Sequence, residues 1–192
     1  MREDAPRIHP RDVQEWWTWL GAHHDDPVPG VWLVAWRPAG GREAIDYEDL
    51  VDAALAHGWI DGTRRTVDDE RTEMWLTRRR PGSQWTRLSK QRVARVEASG
   101  RMTDAGREVV ERAKADGTWS LLDEAEQGIV PPDLAAAFDE LPGSRERFDA
   151  FTPGVRRSIL GWIVQAKRPQ TRAARVREAA EQAVRGVPAH QQ

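Results

Sequence analysis

The chain has 192 residues, no cysteine, ten tryptophans beside three phenylalanines and one tyrosine, and a formal net charge of −2. That length allows one generous domain or two small ones that bury roughly 70% of the unfolded surface without covalent staples. The missing cysteines exclude disulfides, thiolate nucleophiles and cysteine-ligated metal centres. No apolar run of about 18 residues is present to span a bilayer, and Met1-Arg2-Glu3-Asp4 opens no export signal, so the expectation is a cytoplasmic protein without membrane insertion.

Val13, Trp16, Trp17 and Leu20 recur at i, i+3, i+4 and i+7 and predict a helix over about 11–20 that Gly21 ends. A Pro- and Gly-bearing loop over 23–30 leads into Val31-Trp32-Leu33-Val34-Ala35-Trp36, which reads as a buried strand. Asp46 is placed to cap a helix whose apolar stripe is Tyr47, Leu50, Val51, Ala54 and Leu55. Residues 58–67 and 71–79 predict an antiparallel hairpin around Asp68-Asp69-Glu70. After Pro81-Gly82 the period is helical to the end: a helix from Ser83 or Thr86 to Ala98, one capped by Thr103 and one opened by Pro131-Pro132. Thr152-Pro153 caps and opens another, and the last runs over about 169–185 before Gly186. Residues 187–192 read as a frayed tail.

These elements predict an α+β fold, with a small antiparallel sheet and helices in the N-terminal half followed by an all-helical C-terminal half packed against it. Its segments are an α+β region at 1–82, linking helices at 83–120 and a helical region at 121–192, read as parts of one compact unit.

Three strings carry chemistry. In Gly58-Trp59-Ile60-Asp61-Gly62, extended backbone puts Trp59 and Asp61 on one face, and the glycines admit close approach. Asp61 is then either a fixed carboxylate in an aromatic pocket, able to hold a cation or transfer a proton, or the partner of an arginine such as Arg64 that anchors the hairpin. Arg78-Arg79-Arg80-Pro81-Gly82-Ser83-Gln84-Trp85, continuing to Lys90, Arg92 and Arg95, sets guanidinium forks beside a glycine turn and a helix start, where anions bind; the alternative is a strand end with solvated arginines. Lys167 ends one helix, and Arg172 and Arg175 share a face of the next, reaching either an acid across the corner or a bound anion. No Walker loop, dinucleotide fingerprint or Ser/His/Asp arrangement is present, so no cofactor is implied. His23-His24-Asp25-Asp26 lacks the further ligand that a metal site requires, and none is assigned.

Charge is unevenly spread. Residues 74–101 hold eight bases against Glu97, residues 116–149 nine acids against Arg145 and Arg147, and residues 152–178 seven bases against Glu178. The stretches either pair within the fold or build one cationic surface. The acidic middle argues against nucleic acid as the partner.

The strings from Trp32-Leu33 through Tyr47, Gly58-Trp59-Ile60-Asp61-Gly62, Arg80-Pro81-Gly82-Ser83-Gln84-Trp85, Arg92-Val93, Gly100-Arg101-Met102 and Ala105-Gly106 together resemble the YdeI/OmpD-associated family. The stretch 148–176, with Trp162-Ile163, Ala166-Lys167 and Thr171-Arg172, resembles that family's bacteriocin-protection helical domain. Ser89 stands where the resemblance leads one to expect asparagine. The resemblance implies bacteriocin protection and envelope stress and carries over no catalytic residue.

The expected function is therefore a stress- or bacteriocin-protection module that binds a small anionic or zwitterionic ligand. Trp59 and Trp85 are its walls, and Asp61, Arg64, Arg80, Ser83, Lys90, Arg92, Lys167 and Arg172 its polar contacts. The alternative is a cofactor-independent enzyme with Asp61 as acid or base. Third stands nucleic-acid binding through the basic stretch at 74–101. A protein partner in place of the small molecule, and a monomer or a homodimer, are equally compatible with the composition.

Overall fold

The computed structural model describes residues 2–38 and 44–190. They form two compact units, residues 2–38 with 44–83 and 88–116, and residues 84–87 with 117–190.

The first unit contains β1 (Arg7–Ile8), α1 (Val13–His23), β2 (Val31–Trp36), α2 (Tyr47–Ala56), β3 (Trp59–Thr66), β4 (Arg71–Arg78), all but the first residue of α3 (Arg87–Ala98), and α4 (Asp104–Ala115). The sheet has the order β1-β2-β4-β3. β2, β4 and β3 are antiparallel, as their patterns predict, and β1 joins β2 in parallel through only two residues, too few to leave a periodic signal.

One face of the sheet presents Val31, Leu33, Trp59, Met74 and Leu76 to Trp16, Leu20, Leu50, Val51 and Ala54. The Trp16 indole N–H, buried in that layer, donates to the Leu50 carbonyl at 3.0 Å, which satisfies the one polar atom of a large apolar ring. On the other face Trp32 stands opposite Trp75, with ring centroids 5.1 Å apart, and the Arg65 guanidinium lies 4.3 Å above the Trp32 ring. Buried Glu73 on that face accepts from Arg7 at 3.2 Å and from Arg65 at 2.6 Å. Both faces of β2 are thus covered, which is why its sequence is a continuous apolar run rather than an alternation.

Gly21 does not end α1. Asp12 caps the helix by accepting from the Glu15 N–H at 2.7 Å, and the helix continues through Gly21 to His23, whose ring meets Asp26 at 2.7 Å. A helical glycine costs about 1 kcal/mol relative to alanine, less than burial of Trp16 and Leu20 returns. α4 is seated on the end of α2: Thr103 accepts from the Gly106 N–H at 3.3 Å, and its hydroxyl donates to the Ala56 carbonyl at 2.5 Å.

The second unit contains α5 (Asp123–Glu126), α6 (Pro132–Asp139), α7 (Ser144–Asp149), α8 (Pro153–Val164) and α9 (Pro169–Val184). Leu134, Phe138, Phe148, Ile159, Leu160 and Ile163 form its core. Proline opens α6, α8 and α9, where a missing N–H costs nothing. α5 and α7 carry too few residues to display a helical period and were not foreseen. Gly186, at φ +70°, closes α9 in a left-handed cap in which the Val187 N–H donates to the Gln182 carbonyl at 3.1 Å.

The tail expected to fray from Val187 is held instead. Ala189 is buried, and the His190 ring stacks on Trp162 at 5.0 Å, since an indole face left half-exposed by α8 gains from being covered. The expectation for Gln191 and Gln192 lies outside the described residues. No helix among the described residues is long and apolar enough to cross a membrane.

Candidate functional site

The end of β4 and the start of β3 meet at a cavity of about 550 Å³ in the first unit. Gly58, at φ +78°, turns the chain out of α2 into β3, and its carbonyl accepts from the Arg79 N–H at 2.8 Å. A Cβ at Gly58 would stand 3.0 Å from Val109 and 3.2 Å from the Ala105 carbonyl, so both the dihedral and the approach of α4 require glycine there. Arg80, Pro81, Gly82 and Ser83 then form a turn in which the Ser83 N–H donates to the Arg80 carbonyl at 3.0 Å and Gly82 takes φ +78°. Proline followed by a glycine of positive φ is the pattern of a type II turn.

This geometry brings Arg78, Arg79 and Arg80 to the cavity wall, where Arg112 joins them from α4. Asp25 and Glu108 are the carboxylates of the lining, so four guanidinium groups face two acids. His24 lies 3.3 Å from Asp25, and Arg112 lies 3.9 Å from Glu108. Arg78 and Arg80 are exposed, whereas Arg79 is only 6% exposed. Burial pulls the Arg79 guanidinium down to about 10 against the opposing pull of the Asp61 charge, and the group stays protonated at neutral pH. Its Nη2 donates to Ser89 at 3.4 Å, so the residue that replaces the expected asparagine still supplies an acceptor. Burying a cation costs desolvation energy, and this one lies in the wall of the cavity.

His57 lines the same cavity and is 7% exposed. Its Nδ1 lies 2.9 Å from the Ala53 carbonyl, and Trp17 packs edge-on at 5.0 Å. Burial, more than the nearby charge of His24, holds its pKa below the ordinary histidine value.

The sequence-predicted residues fall into several places. Arg80 lines the cavity, and Ser83 closes the turn beside it. Asp61 accepts from the Tyr47 hydroxyl at 2.7 Å, and Arg64 and Arg92 lie 5.4 and 5.7 Å from the Tyr47 ring centre. Arg92 is also clamped on Glu48, through bonds of 3.0 and 2.6 Å. These groups fasten β3 and α3 to α2, and Asp61 is not among the cavity's lining residues. Trp59 is 1% exposed within the inner face of the sheet, and its indole N–H has no hydrogen-bond partner among the described residues. Trp85 is 2% exposed and packs against Trp119 at 5.1 Å in the second unit. Lys90 is half-buried on α3, Lys167 is exposed, and Arg172 pairs with Asp133 at 2.6 Å. His57 and Arg112 were not foreseen as site residues, and Arg79 was foreseen only as part of the Arg78-Arg79-Arg80 string. The Arg78-Arg79-Arg80 run was the available signal for Arg79, but nothing in the sequence brings Arg112 to it.

Charge pairing also proves local. Arg92 and Arg95 of the first basic stretch meet Glu48 and Asp52 of α2, while Arg172 and Arg156 of the second reach Asp133 and Asp149 of the acidic one.

An α+β unit with an arginine-lined cavity at one end of its sheet, in a chain that also carries a helical unit, defines the class. Residues 8–109, more than half of the chain, match the family described as a domain of unknown function (DUF8412), and the chain belongs to that family. Residues 127–186 match the bacteriocin-protection, YdeI or OmpD-associated family, which shows the resemblance for the helical part. No curated protein and no solved structure gives a match.

Proposed function

We propose that this protein is a binding module for a small anion, held in the cavity of the first unit by Arg78, Arg79, Arg80 and Arg112. The observation that carries the reading is the buried Arg79 guanidinium set among three further arginines in one cavity wall. Guanidinium forks bind carboxylate and phosphoryl oxygens through paired, charge-assisted hydrogen bonds, and a partly enclosed site screens those bonds less than open water does. A volume of about 550 Å³ suits a small metabolite rather than a macromolecule. We read the bound state as protective, a role supported by the match of residues 127–186 to the bacteriocin-protection family. The alternative reading, Asp61 as acid or base, draws less support, because that carboxylate is engaged by Tyr47 and stands outside the cavity lining.

The test is calorimetric titration of the whole chain with inorganic phosphate, pyrophosphate and citrate, with thermal shift as a second readout. An anion at 100 times its dissociation constant adds about 2.7 kcal/mol of stability. Arg80→Ala lowers the affinity about tenfold and leaves the stability of the free protein within about 0.5 kcal/mol of the parent, since the residue is exposed. The reading is sunk if no anion binds or if Arg80→Ala binds as the parent does.

A further inference from the structure

Resting on that anion site, the geometry points to the kind of anion: we propose that the ligand carries a hydroxyl group, which donates a hydrogen bond to Nε2 of His57 while its charged end meets the arginines.

A carbonyl oxygen only accepts, so the 2.9 Å contact of Nδ1 with the Ala53 carbonyl fixes the ring proton on Nδ1. Burial keeps the ring neutral at neutral pH. A neutral imidazole with its proton on Nδ1 presents Nε2 as a bare acceptor, and Nε2 has no hydrogen-bond partner among the described residues. His57 is a lining residue of the same cavity as Arg79 and Arg80. The site therefore offers cations for an anionic group and one fixed acceptor for a donor. A ligand ammonium is disfavoured as that donor, because it would enter a wall in which arginines outnumber acids two to one. A neutral hydroxyl meets both requirements. The ligand class is a small hydroxylated anion, a polyol phosphate or a hydroxycarboxylate, in place of a bare phosphate or an alkyl acid.

The experiment compares matched pairs of equal charge by calorimetry on the whole chain: glycerol 3-phosphate against n-propyl phosphate, and glycerate against propionate. Within the pair that binds, the hydroxylated member binds about tenfold more tightly, and the identity of that pair tells phosphoryl from carboxylate. His57→Phe keeps a ring in place and abolishes the difference, bringing the hydroxylated member down to its partner. That variant also loses the bond to Ala53, so a second measurement uses the unaltered chain: a long-range proton–nitrogen NMR spectrum, in which the unprotonated Nε2 signal of His57 moves on addition of the hydroxylated member and not of its partner. Equal affinities within both pairs, a difference that survives in His57→Phe, or an Nε2 signal that already carries a proton overturns the assignment and leaves the anion site standing. Failure of all four compounds and of inorganic phosphate to bind removes the anion site itself and this inference with it.

Discussion

The two units are built on different interiors. The first holds seven of the ten tryptophans and buries four ionisable groups, His57, Glu73, Arg79 and Arg92. The second holds all three phenylalanines, and its one buried polar residue among those described is Ser144, whose hydroxyl donates to the Phe138 carbonyl at 3.2 Å. An interior of phenylalanine, leucine, isoleucine and alanine needs no polar compensation and exists to be stable. Buried charge has the opposite economy: each such group costs desolvation energy and is kept where a pairing, a specificity or a ligand requires it. Glu73 and Arg92 have ion-pair partners that account for them. His57 and Arg79 line the cavity of the first unit, and the second unit has no buried ionisable group among its described residues.

The largest expected effect tests the apolar side of the contrast. Phe148→Ala removes a buried ring from the core of the second unit and costs about 3–5 kcal/mol, read from the midpoint of urea denaturation at constant slope. A loss under about 1 kcal/mol would show that this unit is not held by that core. Next, Arg79→Met replaces the buried cation with an apolar chain of similar length. Removing charge-assisted bonds to a ligand lowers anion affinity about 100-fold, while the stability of the free protein is unchanged or raised, because desolvating methionine costs nothing. Retained binding in that variant would place Arg79 with Glu73 and Arg92 as a structural ion, and the contrast between the units would lose its functional meaning.

The parts of the fold legible in sequence were those with a long period or a strong cap. β2, β3 and β4, α2 with Asp46, α4 with Thr103 and α8 with Thr152 all declare themselves through neighbours a few residues apart. β1, α5 and α7 are two, four and six residues long and depend on tertiary contacts that no local window contains. The site divides in the same way. The Arg78-Arg79-Arg80 run before Pro81-Gly82 is a visible anion motif, but Arg112 is brought to it by the seating of α4 on Ala56, and His57 acquires its tautomer from a helix carbonyl. Trp59 and Asp61 are brought to one face, as alternation requires. Alternation alone does not say that this face is the core side, where Trp59 packs among Trp16 and Leu50 and Asp61 is taken by Tyr47.

The smallest effect concerns the ion pairs that bind α3 to α2 and sharpens the claim that the first unit relies on charge. Hydrogen bonds from Arg92 and then Arg95, opposed by partial burial, bring the Glu48 carboxyl from an ordinary value of 4.5 to about 2. A carboxylate depressed on folding binds fewer protons in the folded than in the unfolded state throughout that interval, so its contribution is complete above about pH 4.5 and is lost as pH falls toward 2. Arg92 is buried, but the Glu48 side chain is 43% exposed and Arg95 49%, so water screens the carboxylate that both pairs share, and the contribution at neutral pH is about 1 kcal/mol or less. Glu48→Gln therefore costs little at pH 7 and flattens the fall in stability between pH 4.5 and 2, measured by urea denaturation across that range. An acid limb as steep in Glu48→Gln as in the parent would assign acid sensitivity to other carboxylates, with Asp133, lowered by its bond to Arg172 in the second unit, the first to examine.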